Sequence, residues 1–188
     1  MDLKINNSNI LFFDMDGTLI DTNFANYLSY EKAIKRIIHS EIDISYNPDK
    51  RFNREALKKI IPNFTKTEYE KIVQLKNKLY IEYLSETKLN VLVADILKKY
   101  SRTNKTILVT NCREDRATMT LKYHKLIDKF SHKFYQQETD NENKINKYER
   151  ALSNLKISPD SILVFEKEKS EIKNALSAGI PHENIISI

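Results

Sequence analysis

The sequence predicts an α/β protein whose core is a doubly wound parallel sheet. Three observations carry that expectation. Short, mostly apolar runs at Ile10-Leu11-Phe12-Phe13, Thr106-Ile107-Leu108-Val109 and Ile162-Leu163-Val164-Phe165 have the length and composition of strands buried on both faces. From about Asn90 onward these runs alternate with segments of helical period, the pattern of strand-helix-strand units with right-handed crossovers. The third observation is Asp14-Met15-Asp16-Gly17-Thr18-Leu19 directly after the first run. Parallel sheets carry their chemistry at the carboxyl ends of their strands, and Asp14 stands at such an end.

The elements follow in order. Ile10–Phe13 is the first strand. Beyond Thr22 and up to about Glu86 the period is helical and no buried strand is expected. Phe24-Tyr27-Leu28 with Ala33-Ile34-Ile37-Ile38 marks one amphipathic helix, Leu57-Ile60-Ile61 a shorter one and Ile72-Leu75-Leu79-Tyr83 a third. Thr65 followed by Glu68 is a capping-box start for the third. Then come a helix over Val91–Tyr100, a strand over Thr106–Val109, a helix over Ala117–Leu126 and a short strand at Lys133-Phe134-Tyr135. A helix over 145–155, a strand over 161–165, a helix over 170–178 and a last strand at Ile185-Ile186 complete the chain. The expected division is a core domain of residues 1–21 and 87–188, with a helical cap domain, 22–86, inserted after the first strand.

Composition narrows the class. The 188 residues suffice for one core and an insertion. A single cysteine, Cys112, excludes an internal disulfide framework and suits a reducing compartment; with a polar N-terminus and no apolar run of about 18 residues, the expected location is cytoplasmic, with no membrane partner. The net charge of +5 comes from lysines scattered beside glutamates, the pattern of a solvated surface, so no nucleic-acid partner is expected. His39, His124, His132 and His182 lack the spacing of a zinc site. Lys50, Arg51 and Arg54 form a small basic group that reads as a solvated charge run before it reads as a grip on an anion.

Asp14 and Asp16, two apart in an extended segment, face the same side. With only two glycines in the chain, Gly17 marks a backbone need, a tight turn whose main-chain amides face an anion. Counted as a calcium loop from Asp14, the sixth and twelfth positions hold Leu19 and Ala25, so that reading fails.

The strand, the Asp-Met-Asp-Gly-Thr-Leu run and the downstream pattern resemble the haloacid dehalogenase-like (HAD) hydrolase superfamily, mostly magnesium-dependent phosphatases. The resemblance implies Asp14 as nucleophile and Asp16 as acid/base, with Gly17 and Thr18 beside the substrate. Thr110 and Asn111, after the second core strand, resemble the motif that holds the transferring phosphoryl group. The motif lysine is Lys144 or Lys147, and the register of compact relatives favours Lys144. Ile162-Leu163-Val164-Phe165-Glu166 matches the strand before the family's metal-binding aspartate, yet Lys167 stands at that aspartate's position. Magnesium would then rest on Asp14, the Asp16 main-chain carbonyl and Glu171, with Glu168 the second choice. The implied function is a magnesium-dependent phosphatase acting on a small phosphorylated metabolite through an aspartyl phosphate. A phosphomutase of the same fold, and a non-catalytic relative that binds phosphorylated ligands, remain alternatives.

Overall fold

The computed structural model describes residues 5–38, 44–48, 50–137 and 145–188. In chain order the elements are β1 (Ile10–Phe13), β2 (Ile20–Asp21), α1 (Asn23–Ile37), α2 (Arg54–Ile60), α3 (Lys66–Leu79), β3 (Lys88–Leu89), α4 (Val91–Tyr100), β4 (Thr106–Val109), α5 (Glu114–Tyr123), β5 (His132–Phe134), α6 (Lys147–Leu155), β6 (Ile162–Glu166), α7 (Lys169–Ser177) and β7 (Ile185–Ser187). The chain divides into two compact units, Met1–Ile20 with Leu89–Ile188, and Asp21–Lys88.

The first unit holds a five-stranded sheet in the order β5-β4-β1-β6-β7, parallel throughout. Its central strand is β1, and alternation sorts that strand's side chains between two cores. Leu11 and Phe13 pack with Val93, Leu97, Ala117 and Leu121 from α4 and α5. Phe12 packs on the other face with Tyr148, Ala151, Leu152 and Ala175 from α6 and α7. Phe13 also stacks on Phe165, ring centroids 4.6 Å apart, which ties the ends of β1 and β6 together. Covered on both faces, the three inner strands β4, β1 and β6 have no solvent side to show, and this is why they read as mostly apolar runs.

The second unit is helical, with its own core of Tyr27, Tyr30, Ile34, Leu57, Ile72 and Leu79. The capping box at the head of α3 is formed: Glu68 N–H donates to Thr65 Oγ1, and Thr65 N–H to the Glu68 carboxylate. The third helix ends at Leu79 rather than continuing through Tyr83; Tyr80–Glu86 tightens into 3₁₀ turns broken by non-helical backbone at Tyr83.

Other departures from the sequence expectation have local causes. α5 begins at Glu114 instead of Ala117, since Glu114 and Asp115 suit the positive N-terminal end of a helix. α6 begins at Lys147, because Asn146 accepts from the N–H groups of Tyr148 and Glu149 and closes a second capping box with Glu149. β2 and β3 pair with each other and, at two residues each, are too short to leave a periodic signal. Among the described residues no helix is long and apolar enough to cross a membrane.

Candidate active site

Because β4 and β6 flank β1, with Phe13 level with both Leu108 and Phe165, the residues that end these three strands meet at one edge of the sheet. Asp14 follows β1 and is anchored by its N–H to the Phe165 carbonyl at 3.1 Å. The loop beyond it closes on itself: Gly17 N–H donates to Ile20 O at 2.8 Å, and the N–H groups of Leu19 and Ile20 both reach Met15 O. Gly17 has φ +86°, while a Cβ built there would meet nothing within 4 Å. Conformation, not crowding, therefore selects glycine.

The centre of the site is the Lys147 ammonium. From the first position of α6, its Nζ lies 2.8 Å from Asp14 Oδ1, 2.9 Å from Glu166 Oε2 and 3.4 Å from Glu171 Oε2. Lys147, Asp14 and Glu166 are all buried. Glu166 is held from every side. Its Oε1 accepts from the N–H groups of Lys167 (2.9 Å) and Glu168 (3.0 Å) and from Thr18 Oγ1 (3.3 Å). Its Oε2 accepts from Lys147 and from the Tyr148 hydroxyl at 2.6 Å. A carboxylate with zero exposure needs such saturation, since each missing partner would leave a buried charge uncompensated.

One ammonium set against three carboxylates decides the protonation states. Burial raises Asp14 to about 7; Lys147 pulls it back down, but less than burial and the neighbouring Glu166 push it up. Burial alone would lower Lys147, and the attraction of Asp14, Glu166 and Glu171 outweighs it, so the lysine stays charged. Burial and the same acids raise Tyr148 well above the ordinary phenol range, keeping it a donor.

The other expected residues fall as follows. Asp16 Oδ2 accepts from the Arg116 guanidinium on α5, in an ion pair whose side chains are 6% and 13% exposed. Thr18 is buried with its hydroxyl between Glu166 and the Lys167 N–H; this and the Gly17 bond to Ile20 are contacts within the scaffold. Thr110 Oγ1 accepts from Cys112 N–H at 3.1 Å, and Asn111 Nδ2 donates to Glu171 Oε1 at 3.1 Å. These two do not cap α5, whose cap position is Arg113. Cys112 is a buried member of the core beside α5. Lys144 and His39 lie outside the described residues; among the described residues the lysine on Asp14 is Lys147. Lys50, Arg51 and Arg54 are exposed.

Lys167 is exposed, and among the described residues its side chain makes no ion pair. Glu168, the N-cap of α7, is exposed too, whereas Glu171 in the first helical turn is partly buried and faces Lys147. Glu171 Oε2 is buried and accepts no hydrogen bond. Among the described residues no group of three or more His, Cys, Asp or Glu side chains is placed to hold a metal. Two carboxylates, Asp14 and Glu171, do lie within ion-pair distance of one nitrogen, and magnesium commonly takes only one or two carboxylates with water. The donor set fits a sparse, water-rich magnesium site. The excess of negative charge around Lys147 argues the same way, as does Glu171 Oε2, which has the ammonium 3.4 Å away but accepts no hydrogen bond.

A family model described as haloacid dehalogenase-like hydrolase matches residues 11–184. The chain belongs to the haloacid dehalogenase-like hydrolase family. No curated protein sequence matches it. Solved HAD structures share its fold. A predicted phosphoglycolate phosphatase from Haemophilus somnus 129PT superposes with TM-score 0.77 at 18% identity, covering 97% of this chain and 86% of that one. A HAD-superfamily hydrolase of subfamily IA, variant 1, from Geobacter sulfurreducens PCA gives 0.69 at 18%, covering 95% and 86%. CbbY from Rhodobacter sphaeroides, in complex with phosphate, gives 0.72 at 17%, covering 92% and 83%.

Sequence reasoning did not find Arg116 or Tyr148. Nothing in their spacing points at an acid far along the chain. The Asn146-x-x-Glu149 capping box was a usable signal, since it opens α6 at Lys147 and turns that residue toward the strand ends.

In metal-free protein the Asp14 carboxyl is expected to titrate near 7, read from its ¹³C chemical shift, and Lys147→Met should move it higher, because the ammonium is the group pulling it down. The linked stability follows the sign of a raised carboxyl: the contribution is complete below 3.8, the ordinary value, and is lost as pH rises through about 7. A titration near 4 in wild type would refute this charge arrangement.

Proposed function

We propose that this HAD hydrolase is a magnesium-dependent phosphomonoesterase that acts on a small phosphorylated metabolite through an aspartyl phosphate. The observation that carries the reading is Asp14 at the end of the central strand with the Lys147 ammonium 2.8 Å from its Oδ1. Asp14 attacks phosphorus and the bond to the ester oxygen breaks, while Asp16 gives that oxygen a proton. Water then attacks the acyl phosphate, Asp16 takes its proton, and phosphate leaves with Asp14 restored. Lys147 fills the lysine role for which the sequence favoured Lys144. Thr110 and Asn111 hold the transferring group, and Gly17 and Thr18 shape the loop around it. The helical unit, inserted directly after the loop of Asp14 and Asp16, serves as a cap that excludes water.

Asp14, the Asp16 carbonyl and Glu171 are the groups that would hold magnesium, which would supply positive charge to the phosphoryl oxygens. The exposed side chain of Lys167 supports the active enzyme over the non-catalytic alternative, because an ammonium turned into the acids would repel the cation. The phosphatase names of the HAD structures it resembles agree with the reading.

The functional test is metal-dependent hydrolysis across a panel of phosphate esters, with Asp14→Asn falling to background while its circular dichroism stays that of wild type. Near-normal hydrolysis by Asp14→Asn would reject the mechanism, and release of an isomerised phosphate ester in place of inorganic phosphate would favour a mutase. For the metal, calorimetry is expected to give weak Mg²⁺ binding to wild type, weaker binding to Glu171→Gln and tighter binding to Lys167→Asp. Because burial raises the Asp14 carboxyl to about 7, binding should release more protons at pH 6.5 than at pH 8.5. Binding that is indifferent to Glu171→Gln would remove that residue from the site.

A further inference from the structure

The side chain that meets the proposed acid/base has no place in the function as drawn so far. Arg116 lies in the first turn of α5, where Glu114 and Asp115 suit the positive end of the helix and a cation does not. Arg113, just before it, pairs with Asp115 at 3.0 Å, with both side chains about half exposed. Arg116 instead turns inward, 13% exposed, and places Nη2 on Asp16 Oδ2, while its own carbonyl accepts from Thr120 Oγ1 at 2.8 Å. A guanidinium at the unfavourable end of a helix, drawn out of water onto a carboxylate that is 6% exposed, marks a contact made for the carboxylate.

Asp16 sits in a loop whose backbone is closed by its own hydrogen bonds, yet a carboxyl on such a loop still turns about two side-chain torsions. Proton transfer to a leaving oxygen requires that carboxyl within hydrogen-bond reach and in line, and small misplacements cost large factors in rate. We infer that Arg116 is a positioning residue for the proton-transfer step: by holding Asp16 Oδ2 it fixes the carboxyl in the orientation that serves the ester oxygen. The inference rests on the phosphatase reading given above. It adds a requirement carried by α5, an element that otherwise only covers the sheet. The contact also accounts for an arginine in the first turn of α5.

Proton delivery matters most when the leaving group is poor, so the test compares phenyl phosphate with 4-nitrophenyl phosphate in single-turnover phosphorylation. Arg116→Met should lower the rate with phenyl phosphate by about tenfold or more and the rate with 4-nitrophenyl phosphate by no more than about threefold, the selective loss expected of a displaced general acid. Arg116→Lys keeps the charge but not the fork, should fold where the methionine variant does not, and should shift the same ratio in the same direction by less. In an Asp16→Asn background Arg116→Met should leave the ratio unchanged, since its effect passes through Asp16. Equal losses with both esters, or losses that add to those of Asp16→Asn, would overturn the inference and leave Arg116 a structural or phosphate-binding residue. If wild type hydrolyses neither ester with Mg²⁺ present, the phosphatase reading fails and this inference fails with it.

Discussion

Lys147 is the interaction on which the site depends. One buried ammonium holds Asp14, Glu166 and Glu171, which arrive from the end of β1, the end of β6 and the first turn of α7. Without it three acids would face one another in a poorly solvated place, and breaking a buried pair of this kind typically costs about 3–5 kcal/mol. The sheet order makes the meeting possible, because β4 and β6 both neighbour β1 and deliver their ends to the same edge. The Asn146 cap makes it specific by fixing where α6 starts.

The same geometry accounts for the departure at position 167. Glu166 is saturated by five donors and buried, so it braces the site and has no capacity left for a cation. The lysine after it contributes its N–H to that bracing and sends its side chain to solvent. An acid one turn further on, Glu171, faces the ammonium in its place. Charge around Lys147 remains negative on balance, and either a proton on Asp14 or a bound cation relieves it. If magnesium binds as proposed, its affinity and the protonation of Asp14 are two faces of one equilibrium.

Most of the fold was legible because its inner strands β4, β1 and β6 are covered on both faces and its helices on one. β4 and α4 have the boundaries that the pattern predicts, since an apolar run and a capped amphipathic segment each carry their own start and stop. The acids after β1 were legible for the same reason, as a motif contiguous in sequence beside an unmistakable strand. What the sequence hid are contacts made across the chain: Arg116 on Asp16, one hundred residues away, and Tyr148 on Glu166. These depend on which helix lands beside which strand end, and no periodicity encodes that. The Thr18 hydroxyl is of the same kind, meeting Glu166 and the Lys167 N–H from 148 and 149 residues away.

The most direct test of the account is chemical trapping of the intermediate. An acyl phosphate is reduced by borohydride where a free carboxylate is not, so enzyme quenched during turnover of 4-nitrophenyl phosphate with Mg²⁺ can be reduced, digested and sequenced by mass spectrometry. The account predicts homoserine at position 14 and at no other aspartate. An unmodified Asp14 in enzyme quenched while turning over, or reduction at a different acid, would contradict it.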